Sequence, residues 1–250
     1  MILLIGGTSE SLEIADALTS DHQAFVLSVT TDYGHTLATA HAEHVLQTKF
    51  TETTLIDFLQ MRHIKLVIDA SHPFAQIVSK TAMTACQTVG TTYVRFERQN
   101  EVLNEPNVIH FQTQSEVTDY LLQHEGKVYL STGSKTAVEY GSVLGLDRVH
   151  VRVLPTATVL TKLSEGGYKP NQIDAIEGPF SRKLNVELFS KAQAAFVVTK
   201  DSGERGGINE KIFAAQDLDM PCLVIDRPQL HYPNVAKTLT GLTDFIGKVN

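Results

Sequence analysis

At 250 residues, the chain is long enough for two domains of ordinary size, and its 42% of hydrophobic residues is sufficient for globular cores. The 28 acidic residues outnumber the 21 basic residues, and the formal net charge of −7 argues against a protein that binds nucleic acid. No apolar run approaches the roughly 18 residues of a membrane-spanning helix, so we expect no membrane partner and a cytoplasmic protein.

The chain alternates apolar, β-branched runs with helical patterns almost from end to end. Residues 1–5 lead into glycines without a preceding basic segment, so we interpret them as a first strand and not as an export signal. The predicted strands are residues 2–5, 24–29, 45–47, 66–70, 93–96, 127–131, 149–154, 174–177, 196–199 and 222–225. The predicted helices are residues 9–19, 53–62, 74–89, 116–123, 135–143, 157–163, 181–192 and 208–217.

Strands that alternate with helices form right-handed crossovers and a mostly parallel sheet. The strands are continuous apolar runs, as expected when helices cover both faces of a sheet. A polar stretch, residues 99–107, interrupts the rhythm. We therefore predict an α/β protein of two Rossmann-like lobes, residues 1–100 and 107–250, each with a mostly parallel sheet flanked by helices.

The cysteines and histidines do not indicate a metal site. Cys86 and Cys222 lie far apart inside apolar patterns, so we expect two buried thiols and no disulfide. The ten histidines are scattered, and none has an acidic or cysteine partner at ligand spacing. We predict no bound metal.

Six polar segments follow predicted strands, which is where open α/β sheets bind ligands. The first, Gly6-Gly7-Thr8-Ser9-Glu10, joins a strand to a helix. Its glycines allow the backbone to approach a phosphate, and the helix N-terminus supplies N–H groups and a positive dipole. Because the full G-x-G-x-x-G fingerprint is absent, a plain turn with a capping hydroxyl is the alternative.

Asp69, Ser71 and His72 follow the strongest strand of the first half, just before Pro73. Pro73 suits the first turn of a helix, where its missing N–H has no consequence. His72 is a candidate proton donor or a hydrogen-bonding group over a nicotinamide. The alternative is a capping serine with a structural histidine.

Ser131, Thr132 and Gly133 repeat the combination of strand, glycine and hydroxyl ahead of Lys135. Lys135 falls in the first turn of a predicted helix, where the dipole disfavours a positive charge and an anion would relieve the cost. A solvated lysine is the alternative.

Residues 199–207 are more unusual still, since three glycines, two cations, two acids and two hydroxyls occur together. Such a loop offers N–H groups and cations to several carboxylates, and a mobile loop is the alternative.

Taken together, these segments resemble the precorrin-6A reductase family. The matches occur in the family's order through nearly the whole chain: Gly6-Gly-Thr-Ser-Glu10, Asp32-Tyr-Gly34, Asp69-Ala-Ser-His-Pro-Phe-Ala75, Arg95 with Glu97-Arg98, Glu177-Gly-Pro-Phe-Ser181 with Asn185, Thr199-Lys-Asp-Ser-Gly203 with Gly206-Gly207 and Lys211, and Arg227-Pro228. The His-Pro-Phe-Ala and Thr-Lys-x-Ser-Gly segments are the specific ones.

The resemblance implies hydride transfer from NADPH or NADH to one carbon of a C=C bond of a tetrapyrrole, with a proton delivered to the neighbouring carbon. The reaction would convert (cobalt-)precorrin-6A into (cobalt-)precorrin-6B in cobalamin biosynthesis, in a cleft between the two lobes. The expected catalytic residues are His72 and Ser71, although bound water is equally suited to supply the proton. The expected cofactor-binding residues are Gly6, Gly7, Thr8, Ser9, Glu10 and Asp69.

The implied substrate is an anionic polycarboxylate, which explains why an acidic protein would place cations after its strands. The expected substrate-binding residues are Ser131, Thr132, Gly133, Lys135, Lys200, Ser202, Gly203, Arg205, Gly207 and Lys211. Two departures leave the choice between NADPH and NADH open. Ser11-Leu12 stands where the family shows a small residue and then Arg, and Thr48-Lys49 stands where it favours Gly-Arg.

Two other functions compete with this one. A Rossmann oxidoreductase for another small molecule lacks the Tyr-x-x-x-Lys pair of short-chain dehydrogenases in this sequence. A non-catalytic nicotinamide-binding sensor would keep Gly6 and Gly7 but would have no reason for the cationic segment that follows Thr199.

Overall fold

The apolar runs of the sequence form parallel strands in the computed structural model, which describes residues 1–97, 105–203 and 206–249. The chain divides into two units, the first made of Met1–Gln99 and Pro228–Asn250 and the second of Asn100–Arg227. Each unit holds a six-stranded sheet whose described strand pairs are all parallel. The predicted α/β class with two mostly parallel sheets is confirmed.

The elements occur in strict alternation through most of the chain. In the first unit they are β1 (Ile2–Ile5), α1 (Ser9–Ser20), β2 (Phe25–Val29), α2 (Asp32–Ala38), β3 (Val45–Gln47), α3 (Glu52–Met61), β4 (Leu66–Asp69), α4 (Gln76–Val89) and β5 (Thr92–Phe96). In the second unit they are β6 (Val108–Phe111), α5 (Gln114–Leu122), β7 (Lys127–Leu130), α6 (Ser134–Leu144), β8 (Val149–Val153), α7 (Ala157–Glu165), β9 (Ile173–Ala175), α8 (Arg182–Lys191), β10 (Ala194–Lys200), α9 (Ile208–Asp217) and β11 (Cys222–Ile225). The chain then returns to the first unit with β12 (Val235–Ala236) and α10 (Leu239–Val249).

The first sheet has the Rossmann strand order, and the second repeats it except that its edge strand, β6, comes first in the chain of that unit. The first runs β3-β2-β1-β4-β5-β12 and the second runs β9-β8-β7-β10-β11-β6. The order reverses between β1 and β4 in the first sheet and between β7 and β10 in the second. Such switch points open a crevice at the carboxyl ends of the strands, where this class of sheet binds its ligands.

The first sheet is buried on both faces, which accounts for its uninterrupted apolar strands. Ile2 and Leu4 of β1 pack into one core with α1, whereas Leu3 and Ile5 pack into a second core with α3 and α4. All four side chains of β1 are buried. The strand therefore anchors the loop that follows it at Gly6.

The C-terminal segment corrects the predicted lobe boundaries, which assigned all of residues 107–250 to the second lobe. β12 pairs with β5, and Leu242 and Ile246 of α10 lie in the core that also contains Ile14 of α1. A two-residue strand leaves no recognisable pattern in a sequence. The helix does have one, because its buried residues are spaced by four.

The helix predicted for residues 74–89 also begins later than expected, at Gln76. Pro73 lies in a turn and not in the first helical turn. The N–H and hydroxyl of Ser71 both bind Asp69, and the Ala75 N–H donates to the His72 carbonyl at 2.7 Å. The chain thus turns back over the end of β4 before α4 starts. Neither α2 nor β6 was predicted.

Among the described residues, no helix combines the length and apolar character needed to cross a bilayer.

Candidate active site

The turn between β1 and α1 requires glycine at two positions. A Cβ atom on Gly6 would lie 2.7 Å from Leu27 Cδ1 and 2.9 Å from Ser11 Oγ, so a larger residue does not fit. Gly7 has a φ of +105°, which residues with a side chain rarely adopt, and no atom lies within 4 Å of its Cβ position. The backbone at Gly7 is therefore open to close approach by a ligand.

Ser11 changes how this turn presents its N–H groups. Its hydroxyl accepts hydrogen bonds from the N–H groups of Gly7 and Thr8, both at 3.2 Å, and donates to the Thr8 carbonyl at 2.6 Å. These two donors are therefore used within the protein. The N–H groups of Ser9 and Glu10, in the first turn of α1, have no acceptor within the helix. They are the donors that the turn offers to a phosphate.

The hydroxyl of Thr8 joins the two loops of the first switch point. It accepts from the Ser11 N–H at 3.2 Å as the cap of α1, and it donates to the Ala70 carbonyl at 2.8 Å. The Ser9 hydroxyl donates to Glu10 Oε2 at 3.1 Å. Residues 6–10 and 69–72 are thus brought together, and Thr8 holds the two loops in place through its hydrogen bonds to the protein.

Asp69, at the end of β4, is fully buried, and both of its side-chain oxygens are hydrogen-bonded. Oδ1 accepts from the N–H and the hydroxyl of Ser71 at 3.0 and 2.6 Å and from Arg95 Nη1 at 2.9 Å. Oδ2 accepts from the hydroxyls of Ser79 and Tyr93 at 2.6 and 2.7 Å. Asp69 therefore fixes the strand end. Both of its carboxylate oxygens are engaged within the protein, so the predicted contact between Asp69 and a cofactor is not supported.

Burial by itself would raise the pKa of Asp69 strongly. The charge of Arg95 and the hydrogen bonds from Ser71, Ser79 and Tyr93 outweigh burial, so the pKa is lowered. The carboxylate is ionised throughout the neutral range. It forms a buried ion pair with Arg95, which is 1% exposed.

The two candidate catalytic residues differ in what they can offer. The Ser71 hydroxyl is buried and directs its proton at Asp69. His72 is exposed, and its Nδ1 accepts from the Phe74 N–H at 3.2 Å. The neutral imidazole therefore carries its proton on Nε2. His72 is therefore the more accessible of the two side chains.

In the second unit, Gly133 begins α6 without a side-chain cap and with a φ of +86°. The hydroxyls before it are already used, since Ser131 donates to the Val198 carbonyl at 3.1 Å and Thr132 bonds Thr136 at 2.8 Å. The N-terminus of α6 is therefore presented by backbone N–H groups alone.

Two lysines lie near this helix N-terminus. Lys135 is exposed in the first turn of α6, and Lys200 Nζ donates to the Thr132 carbonyl at 3.0 Å. Burial lowers the pKa of Lys200, and the charge of Lys135 lowers it further. The structure thus brings Lys135 and Lys200 together at the second switch point. An anion there would meet two cations and a positive helix dipole.

The loop after β10 is folded tightly on itself. A Cβ atom on Gly206 would lie 1.9 Å from Ser202 Oγ, and Gly203 and Gly207 have φ values of +82° and +64°. Asp201 is buried and pairs with Arg227 Nε at 3.3 Å. This predicted segment is therefore a shaped loop in its described part. Arg205, one of the predicted substrate-binding residues, lies outside the described residues.

Lys211 in the first turn of α9 is only 5% exposed, and its Nζ donates to the Gly206 carbonyl at 2.7 Å. Burial lowers the pKa of Lys211 to about 8, and the charge of Arg152 contributes to that shift. Lys211 lies beneath the loop and holds its end in place.

Sequence reasoning missed Arg152, a buried residue of β8. Its Nη1 donates to Asn185 Oδ1 at 2.7 Å, and its guanidinium lies 4.0 Å from the centre of the Phe180 ring. Asn185 in turn donates to the Ser181 carbonyl at 3.0 Å. Arg152 thus supports the loop of residues 177–181. A signal was available, since His150 and Arg152 alternate with valines in an otherwise apolar strand.

A second buried carboxylate, Asp174 of β9, was also missed. It accepts from the Tyr129 hydroxyl at 2.8 Å, approaches His150 Nε2 at 2.9 Å, and pairs with Lys191 at 3.1 Å. Burial would raise the pKa of Asp174, but these hydrogen bonds lower it to about 2. Asp174 is therefore a structural anion of the second unit.

Cys86 and Cys222 are both buried and unbonded, as the sequence predicted. Within the described part of the chain, no three His, Cys, Asp or Glu side chains are grouped to hold a metal ion.

The family described as Precorrin-6x reductase CbiJ/CobK matches residues 1–247 of the chain. The cobalt-precorrin-6A reductase of Methanocaldococcus jannaschii is 34% identical over 251 aligned positions, covering 99% of this chain and 98% of that protein. The cobalt-precorrin-6A reductase of Salmonella typhimurium is 32% identical, covering 91% of this chain and 87% of that protein. A solved structure described as CobK precorrin-6A reductase aligns with a TM-score of 0.81 at 24% identity, over 100% of this chain and 97% of that one, and has the same fold.

We expect Asp69→Asn to lower the free energy of unfolding by about 3–5 kcal/mol, because it removes the nearer counter-ion of the buried Arg95 and leaves only the longer pair with Glu97 at 3.6 Å among the described residues. The lowered pKa of Asp69 means that its stabilisation is complete above the unfolded-state pKa and is lost as the pH falls through the folded-state pKa. The difference between wild type and variant should therefore be constant well above the ordinary aspartate pKa of 3.8 and shrink as the pH falls below that value. Urea unfolding followed by circular dichroism measures it.

Asp57→Asn is the matched control, since Asp57 is exposed on α3. It should change stability by less than about 0.5 kcal/mol. Equal effects of the two substitutions would show that Asp69 does not hold the strand end.

Proposed function

The chain belongs to the precorrin-6x reductase family, as its motifs predicted, and from this we propose that it reduces cobalt-precorrin-6A to cobalt-precorrin-6B. The observation that carries the proposal is the family match from residue 1 to residue 247, together with two relatives named cobalt-precorrin-6A reductase that align over most of both chains. The reaction adds a hydride to one carbon of a C=C bond of the macrocycle and a proton to its neighbour.

The first switch point is the proposed site of the nicotinamide cofactor. The open backbone at Gly7 and the N–H groups of Ser9 and Glu10 suit a diphosphate, because a side chain at residue 7 would occupy the space that the phosphate needs. When bound, the reduced nicotinamide supplies the hydride. Thr8 and Asp69 contribute by holding the two loops of the site in register.

His72 is the proposed proton donor, and it acts from its imidazolium form, because the neutral ring whose Nδ1 accepts from the Phe74 N–H is too weak an acid for this role. Ser71 contributes by tying the turn to Asp69. The second switch point is the proposed site for the carboxylates of the substrate. Lys135, Lys200 and the uncapped N-terminus of α6 provide positive charge there.

Asp32 favours NADH over NADPH. In Rossmann sheets, an acidic residue at the end of the second strand binds the ribose 2′-hydroxyl and repels a 2′-phosphate. Asp32 follows β2, is exposed, and is held by a 2.7 Å hydrogen bond from Gln47 Nε2 at the end of β3. Ser11 and Leu12 supply no cation near the cofactor to offset this charge, so we infer that NADH is the preferred reductant.

The purified protein should oxidise NADH when it is mixed anaerobically with cobalt-precorrin-6A. The reason is that the family's reaction consumes one reduced nicotinamide per C=C bond reduced. Loss of the near-ultraviolet absorbance of NADH measures it, with metal-free precorrin-6A as a parallel substrate. If a substrate batch that an established cobalt-precorrin-6A reductase consumes gives no absorbance loss, the reductase proposal fails. Binding of NADH without turnover would then favour a nicotinamide sensor.

In the same assay, His72→Ala should lower kcat by about 10²–10⁴-fold while leaving the KM for NADH nearly unchanged, because general acid catalysis contributes on that scale. His44→Ala, at another exposed histidine, is the control and should behave as wild type. Unchanged turnover of His72→Ala would remove His72 as the proton donor and leave bound water.

Asp32→Ser should raise kcat/KM for NADPH relative to NADH by about tenfold or more, since removing the charge relieves repulsion of the 2′-phosphate. Steady-state kinetics with each cofactor at fixed tetrapyrrole concentration measure the ratio. Asp57→Ser is the control and should not change it. A wild-type protein that prefers NADPH would contradict the role given to Asp32.

A further inference from the structure

Two cations of the second unit are almost completely buried without an ion-pair partner among the described residues. Arg152 of β8 is 6% exposed and Lys211 of α9 is 5% exposed. In the described ranges, no Asp or Glu oxygen lies within 4.0 Å of either side chain. The two are close enough that the charge of Arg152 acts on Lys211. Like charges that share a dry environment are costly to keep.

The guanidinium of Arg152 is oriented by neutral groups, and the carboxylate that favours its charge, Asp174, acts from beyond ion-pair distance. Phe180 covers it at 4.0 Å, the Tyr129 ring lies 5.7 Å away, and Asn185 Oδ1 accepts from Nη1. Asp174 is on the neighbouring strand, but its oxygens already serve Tyr129, His150 and Lys191. A guanidinium has five N–H donors in a planar fork that matches a carboxylate.

The ammonium of Lys211 also makes few hydrogen bonds for the number of its donors. Its ammonium has three donors, and the Gly206 carbonyl is its acceptor among the described residues. The carboxylate of Glu210, on the same helix, favours its charge from beyond ion-pair distance, whereas Arg152 opposes it. The N-terminus of α9, which Gly207 caps without a side chain, adds further positive potential.

These contacts fit an anion better than they fit a purely structural pair. A structural arginine in this protein, Arg95, has Asp69 at 2.9 Å. Arg152 has instead an amide oxygen and a partly exposed aromatic ring that belongs to the loop of residues 177–181. We propose that Arg152 and Lys211 form a subsite for one carboxylate of the tetrapyrrole, with Asn185 and Phe180 orienting the guanidinium. This inference rests on the proposed function for the identity of its ligand.

The test measures binding, not turnover, so that its outcome is independent of the reductase assay. Cobyrinic acid, a corrinoid with carboxylate side chains, and cobinamide, its amidated counterpart, are titrated calorimetrically into wild type, Arg152→Lys and Lys211→Met. Each variant should weaken cobyrinic acid binding by about tenfold or more, since each removes a charge-assisted hydrogen bond to the carboxylate. Cobinamide binding should not change. Lys162→Met, at an exposed lysine of α7, should match wild type for both ligands.

A second measurement needs no variant and so does not depend on the folding of a substituted protein. Because the pKa of Lys211 is about 8, its ammonium loses its proton as the pH rises through that value. A bound carboxylate raises the pKa of Lys211. Binding of cobyrinic acid should therefore be accompanied by uptake of a proton by Lys211 at about pH 9 and by much less uptake at about pH 7. Arg152 stays charged in this window because a guanidinium is not deprotonated in proteins, and Cys222, whose pKa is about 12, stays neutral. Calorimetry in two buffers of different ionisation enthalpy measures the uptake.

The subsite is overturned if wild type binds the two corrinoids equally, if both substitutions weaken both ligands alike, or if cobyrinic acid binding takes up no proton at about pH 9. An inactive wild type that still binds cobyrinic acid through Arg152 and Lys211 would sink the reductase proposal while leaving the subsite standing.

Discussion

Parallel strand pairing is the constraint from which the rest of this structure follows. It sends every strand's carboxyl end to the same edge of its sheet, and the Rossmann order sets two of those ends side by side at each switch point. In each unit, one hydrogen bond joins the two strand ends at the switch point. Thr8 donates across the first switch point to the Ala70 carbonyl at 2.8 Å, and Lys200 donates across the second to the Thr132 carbonyl at 3.0 Å. Segments that are more than 60 residues apart in the chain thereby meet at one sheet edge.

Gathering polar loops at a buried edge requires that their charges be compensated. In the first unit compensation is complete, since both oxygens of Asp69 are saturated and Arg95 is its partner. In the second unit it is not. The pKa of Lys211, about 8 against an ordinary value of 10.5, corresponds to a penalty on the order of 3 kcal/mol below pH 8 that fades as the pH rises toward 10.5. Departures of this kind are expected where function competes with stability.

The sequence was sufficient to predict the features that depend only on the residues within one strand or one turn. The apolar runs of β1 and β4 identify a parallel sheet, and the glycines at 6 and 7 identify the turn that their sterics require. It could not predict what depends on partners distant in the chain. The return of β12 to β5 joins residues about 140 positions apart, and a two-residue strand has no periodicity. The use of two N–H groups by Ser11 likewise follows from side-chain geometry that residue types do not reveal.

The two units have similar strand orders but differ in the charge at their carboxyl edges, and this difference is the basis of the ligands proposed for them. The first presents Glu10 and Asp32 after its strands, and its arginine at that edge, Arg95, is bound to Asp69. The second presents Lys135 and Lys200 around the start of α6, with Arg152 and Lys211 beneath its loops. A dinucleotide whose ribose meets a carboxylate suits the first edge, and a polycarboxylate suits the second. A net charge of −7 therefore conceals a local positive site, since electrostatic recognition of a small ligand is decided within a few Debye lengths of the site and not by the total.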